Sequence, residues 1–342
     1  MHFGFPIEVL IIFFTVIAGS LYLDLVAHNK SKEISVQDAM KWSVFWIGLA
    51  ICFYAYLWLR FSKQWADLYF TGYVLEKSLS LDNLIVFMAI FASFGIKDVL
   101  QHKILYWGIL GALVFRAIFV MIGTGLFLAS PWVGFIFAIF VAWSAVKMLQ
   151  GGGDNEDEIE DYSQHWSVRL TGKLMPVYTK LHLDRFFLKH TEIKEIGSGD
   201  SVTRNGLIYA TPAFLCLIAI ETSDIAFAFD SVPAVIAVTQ EPLLVYSAMI
   251  FAILGLRSLY FVLAALTKYL VHLEKSVIIL LFFIAGKMGL QSWNHAIGDT
   301  GLHISPNISL IIVLGILSLG VLASVIFPEP QAEVVINQDR NE

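Results

Sequence analysis

Apolar residues fall in long blocks separated by short polar breaks, at 6–24, 40–60, 66–94, 102–128, 131–150, 204–239, 242–268, 273–293 and 307–327. A bilayer core about 30 Å thick needs roughly 20 apolar residues of helix. The pattern therefore predicts an all-α, polytopic membrane protein with about nine transmembrane helices. The first block, Ile7–Leu23, has no basic residue before it and no small-x-small cleavage site after it. It reads as a retained span and not as a signal peptide.

Composition agrees with the pattern. Of the 342 residues 58% are hydrophobic and 15% charged, against about 25% charged in a soluble domain. Such a chain cannot cover a water-facing surface, which excludes an ordinary soluble enzyme. The net charge of −6 says little about partners, because much of it lies in the loop after Gly153 and in the tail; no nucleic-acid partner is expected. Cys52 and Cys216 both sit in apolar blocks, which argues against a disulfide framework and against a thiolate zinc site.

Five sections follow from the block pattern. They are two amino-terminal helices (1–65), a first transmembrane repeat (66–150), a loop (151–203), a second repeat (204–296), and a last helix with its tail (297–342). Basic residues cluster in alternate loops: Lys30 and Lys32, then Lys97 and Lys103, then the long loop, then Lys268 and Lys275. By the positive-inside rule these loops are cytoplasmic, with the amino terminus outside and the carboxy terminus inside. The long loop opens with the acidic, flexible GGGDNEDEIED and continues with VYTKLHLDRFFLKH. The second part suits an amphipathic helix on the inner membrane surface. The loop is either a tether or a docking site for cytosolic partners.

Chemistry concentrates in Gly72–Phe87, GYVLEKSLSLDNLIVF, which places Glu76, Lys77, Asp82 and Asn83 in an otherwise oily helix. Ionisable groups at that depth are costly and are functional by default. Glu76-x5-Asp82-Asn83 aligns with Asp224-x5-Asp230-Ser231, and each is followed by a helix with a lone arginine, Arg116 in ALVFRAIFV and Arg257 in ILGLRSLYFV. An offset of three spans reverses the crossing direction, so the expectation is an inverted repeat of three-helix units, with a site between the copies near mid-bilayer.

Straight helices would scatter the acids. At about 100° per residue Glu76, Ser80 and Asn83 share a face while Asp82 points away. A block of 204–239 would extend about 54 Å as one helix, and Pro233 removes a backbone donor. Breaks are therefore expected at Asp82-Asn83 and Asp230-Ser231, with the freed carbonyls facing the site. The candidate metal ligands are Glu76, Asp82, Asn83, Glu221, Asp224 and Asp230, supported by Ser80, Ser231, Arg116 and Arg257. Lys77 is a further base able to pair with the acids, and Lys287 is expected to snorkel toward the outer surface. Carboxylates with amide and hydroxyl oxygens suit a hard divalent cation, Mn²⁺, Ca²⁺ or Mg²⁺. The plainer alternative is a set of buried ion pairs that only orient helices.

EKSLSLDN, QHKILYWGILGALVFRAIFVMIG and ETSDIAFAFDSVPAVIAVTQ resemble the TerC family of bacterial membrane proteins, and the likeness covers nearly the whole chain. The resemblance implies a LysE-type transporter in the bacterial inner membrane, with links to tellurite resistance and manganese export. It makes Mn²⁺ the expected cargo, with no tightly bound cofactor and no enzymatic reaction. It also leaves open a non-transporting scaffold that gathers cytosolic tellurite-resistance proteins around residues 151–203.

Overall fold

The computed structural model describes residues 7–27, 36–96, 98–151, 165–180, 185–195, 202–204, 206–239, 241–266, 273–298 and 300–326. The elements are α1 (Ile7–Ala27), α2 (Val36–Arg60), α3 (Lys63–Ser93), α4 (Asp98–Ala129), α5 (Pro131–Gly151), α6 (Trp166–Leu174), β1 (Phe187–Lys189), α7 (His190–Glu195), β2 (Ile208–Ala210), α8 (Pro212–Thr239), α9 (Pro242–Ile253), α10 (Leu256–Leu266), α11 (Leu273–Ala296) and α12 (Pro306–Ile326). The chain is a multi-pass membrane protein and mostly helical.

Each of the nine apolar blocks contains helix, but nine spans are not confirmed among the described residues. Among the described residues six helices are long and apolar enough to cross a membrane, or up to seven if the bent pair α9 and α10 is one span. α3 is not among them, because Lys63, Asp67, Glu76, Lys77 and Asp82 lower its apolar content.

Local sequence explains the helix ends. Ser62 caps α3, its Oγ accepting the Trp65 N–H at 3.2 Å, as expected of serine at that position. Thr211 precedes α8 and donates through Oγ1 to the Arg185 carbonyl at 2.7 Å, and Pro212 then fills the first helical position, where its missing N–H costs nothing.

α3 and α8 lie at the centre and run antiparallel. Tyr69 and Leu75 of α3 share a core with Val232–Val238 of α8, while Leu84–Phe91 share another with Leu215–Ile220. At one end the Thr239 hydroxyl donates to the Leu68 carbonyl at 3.3 Å. α4 packs on α8, α9 on α3, and α5 on α11; α2 and α12 also lie on α3.

Both acidic helices are continuous, which corrects the expected breaks at Asp82-Asn83 and Asp230-Ser231. Residues 208–210 form a strand, so α8 has 28 residues, about 42 Å at 1.5 Å each, and length no longer demands a break. Pro233 sits within the helix, and residues 232–238 are buried on every side. Proline is tolerated in a membrane helix where its neighbours hold the backbone. The break falls instead between α9 and α10, which turn by 49° at Leu254 and Gly255. Gly255 has φ +80°, and a Cβ there would strike the indole of Trp46.

The loop after α5 also differs from expectation. Val177 and Tyr178 make bridges to Ala210 and Val202, and β1 pairs antiparallel with β2 in the register Phe187↔Ala210, Leu188↔Tyr209, Lys189↔Ile208. The stretch expected as one amphipathic helix is thus strand-like where described, and the small sheet departs from an all-α fold. Tyr178, Leu188, Ile193 and Tyr209 form its own core. The acidic run 154–161 lies outside the described residues.

Candidate functional site

The straight course of α3 puts Glu76, Ser80 and Asn83 on one face, and all three are buried. The Ser80 hydroxyl donates to Glu76 Oε1 at 3.5 Å. This differs from Ser78, Thr124 and Thr222, whose hydroxyls donate to the carbonyl four residues back in their own helices, the usual outlet for such groups. On α8, Asp224 and Ser231 are buried and Glu221 is half-buried.

Arg116 of α4 joins the two helices. It is 1% exposed. Its guanidinium forms one ion pair with Glu76 of α3, and Nη2 donates to Asp224 Oδ1 of α8 at 3.0 Å. Breaking such a buried pair leaves an uncompensated charge, at about 3–5 kcal/mol. Gly111, five residues earlier on α4, faces Glu221 so closely that a Cβ there would collide with the carboxylate. Glycine is what allows the α4 backbone to approach this acid.

Two carboxylates, Glu76 and Asp224, therefore share one guanidinium, and a third, Glu221, lies on the same α8 against the α4 backbone at Gly111. Glu76 Oε2, Asp224 Oδ2, Glu221 Oε2 and Ser231 Oγ are buried with no hydrogen-bond partner among the described residues. Unpaired buried polar atoms are expensive, so these oxygens mark where a further group would be stabilised. The side chains of Asp82 and Asp230 lie outside the described residues. Helical register places position 82 roughly 120° round the axis from position 76. Among the described residues no three His, Cys, Asp or Glu side chains are grouped as a metal site.

The remaining basic residues occupy different places. Arg257 is buried in the first turn of α10, directly after the break. Lys77 donates from Nζ to the carbonyls of Ala252 at 3.0 Å and Leu254 at 3.4 Å, the end of α9. Where pairing with acids was expected, the structure gives it carbonyls left over by a helix break. Lys287 is buried at 3% exposure, not snorkelling, because it lies one heptad from Leu280 on the inward stripe of α11.

Three features were missed in the sequence. Gly111 and Lys77 act through backbone approach and backbone capping. Asp67 of α3 is buried and accepts from Tyr54 Oη at 2.9 Å, with Lys63 Nζ 3.8 Å away. A glycine five residues before the lone arginine and an acid four residues after Lys63 in α3 were the available signals.

The description "Integral membrane protein TerC family" matches residues 61–332. "Tellurium resistance protein TerC" of Serratia marcescens is 52% identical over 340 residues, covering 97% of this chain and 98% of that one. The protein of the same name from Alcaligenes sp is also 52% identical, over 342 residues, covering 97% and 98%. "Putative membrane-bound redox modulator Alx" of Salmonella typhi is 33% identical over 317 residues, covering 90% of each. No solved structure matches. With these matches over nearly its whole length, the chain belongs to the integral membrane protein TerC family.

Proposed function

We propose that this chain is a transporter, not an enzyme, and that it exports a divalent cation, with Mn²⁺ first among the candidates. The cation binds between two inverted repeats in the bacterial inner membrane. One observation carries the reading: buried Glu76 of α3 and Asp224 of α8 share one guanidinium, Glu221 of α8 lies against α4 at Gly111, and an oxygen of each of the three has no hydrogen-bond partner among the described residues. The acidic excess attracts cations, and oxygen donors of this kind suit a hard divalent ion. Packing of α4 on α8, of α9 on α3 and of α5 on α11 supports the inverted repeat, since a two-fold axis in the membrane plane exchanges the first two pairs and maps the third onto itself.

In this reading Glu76, Glu221 and Asp224 bind the ion with Asp82, Asp230, Asn83 and Ser231, while Arg116 holds two of the acids apart. Arg257 and Ser80 orient their neighbours. The basic loops are cytoplasmic and the amino terminus is outside. Tellurite resistance, named for two of the relatives, follows indirectly from metal homeostasis, because a carboxylate-lined site repels an oxyanion.

The test is Mn²⁺ flux into vesicles holding the purified protein, comparing wild type with Glu221→Gln and Asp82→Asn. Both variants leave the Arg116 pairs in place. Flux falls at least tenfold in each; equal flux in all three removes the mechanism.

A second reading has its own support, because the loop carries a folded unit with a core of Tyr178, Leu188, Ile193 and Tyr209. A scaffold for cytosolic tellurite-resistance proteins would use that surface. It predicts mild effects from both acid variants and complete loss of resistance on deleting residues 154–200.

A further inference from the structure

α6 is fastened to the membrane-spanning part of the molecule along one side only. Val168 and Ser167 are buried, and Val168 belongs to the same core as Ala213 and Leu215 in the first turn of α8. The side away from Val168 holds Trp166, Leu170 and Leu174, exposed by 62%, 48% and 75%. Their spacing of four residues makes one continuous apolar stripe. Arg169 and Lys173 are exposed beside it, and the helix contains no acid.

An apolar stripe edged by bases is the pattern of a helix lying in the lipid headgroup region. Its position fits, because α8 is long and apolar enough to cross a membrane and α6 is attached to its first turn. Neighbouring residues extend the same surface. Phe187 is exposed and packs its ring 4.5 Å from that of Phe214 in α8, and Leu207 and Ile208 are exposed just before Pro212. Water would leave all of this apolar area uncovered.

We propose that the Trp166–Leu170–Leu174 face of α6 inserts among anionic lipid headgroups at the bilayer edge, with Arg169 and Lys173 against the phosphates. The occupant is lipid and not another protein, because the bases flank a stripe already tied to the end of a spanning helix. The proposal is independent of what the acidic site carries.

Full-length protein in a Cys52→Ser background takes a nitroxide at Leu170→Cys, at Leu174→Cys, or at Lys180→Cys as an aqueous reference. Each is reconstituted in vesicles of phosphatidylcholine with or without phosphatidylglycerol. Collision rates with oxygen and with a water-soluble nickel chelate are then compared. The two α6 labels favour oxygen in the anionic vesicles, and the Lys180 label favours nickel. Each base near an anionic surface is worth about fivefold in partitioning. Removing both in Arg169→Gln with Lys173→Gln thus lowers the partitioning of the face roughly 25-fold, and nickel access at both sites rises accordingly. Labels at 170 and 174 as open to nickel as the one at 180 overturn the proposal. Labels shielded from both reagents mark a protein contact and overturn it equally.

Discussion

α4 runs unbroken for 32 residues through Arg116, whereas the helix carrying Arg257 is interrupted at Leu254 and Gly255, two residues earlier, and turns by 49°. The straight helix uses its arginine to hold acids from two other helices. The bent one borrows a base from outside, Lys77, to cap the carbonyls its break releases. The difference shows where irregular backbone is stabilised in this molecule. It sits beside an ammonium donor, where freed carbonyls are satisfied, and not beside the carboxylates, which would repel them.

The comparison is tested most severely at Arg116. Arg116→Leu leaves Glu76 and Asp224 without their shared cation and costs about 3–5 kcal/mol, read as a shift in reversible unfolding in mixed detergent micelles. A loss below about 1 kcal/mol, the range of a surface pair, would show that the straight helix does not depend on its pairs. Gly255→Ala comes next. It strains a positive φ and meets the Trp46 ring, for about 2–4 kcal/mol in total. Gly95→Ala is the control, since φ is +62° but nothing lies within 4 Å; only the strain of about 1–2 kcal/mol remains. Equal losses at the two glycines would remove the packing argument at the break.

Lys77→Met keeps length but removes the donor to Ala252 and Leu254, for about 1–3 kcal/mol. Solvent and proton access near Leu254 should rise, measured by hydrogen exchange of the α10 amides, while α4 amides stay protected. The smallest effect lies outside the membrane. The Lys189 N–H donates to Glu192 Oε2 at 2.8 Å, and Arg185 lies beside the same carboxylate; in that order these hold its pKa below the usual 4.5. A depressed folded pKa stabilises above the unfolded value and ceases to do so as pH falls through the folded one. The protection of the Lys189 amide relative to Glu192→Gln should therefore be present at pH 7 and vanish once the pH falls below the lowered folded pKa of Glu192. Persistence of the difference in acid would assign it to packing.

The helices were legible because each apolar block is long enough to be read without its neighbours. The face shared by Glu76, Ser80 and Asn83 was legible for the same reason, since helical register is a local property. Partner choice was not. Arg116 and Asp224 are 108 positions apart, and nothing local distinguishes Glu76 from Asp82 as the acid that meets the guanidinium. The break was misplaced because Pro233 is a strong local signal that packing overrules, while Gly255 is a weak one that Trp46 and Lys77 make decisive. β1 and β2 are three residues each, too short for a periodic pattern, and exist only through pairing across the loop.

Lys77 has a further consequence for how the protein is made. Its carbonyl partners are 175 and 177 positions downstream. At about 5–20 residues per second of synthesis, they emerge roughly 10–35 s after the lysine. Throughout that interval the first half carries a lysine in the membrane without its final acceptors, and for the 108 positions between Arg116 and Asp224 a guanidinium is short of one of its two acids. Neither half of the chain is then a finished product, and assembly of the bundle must wait for the ribosome to deliver α8 and α9.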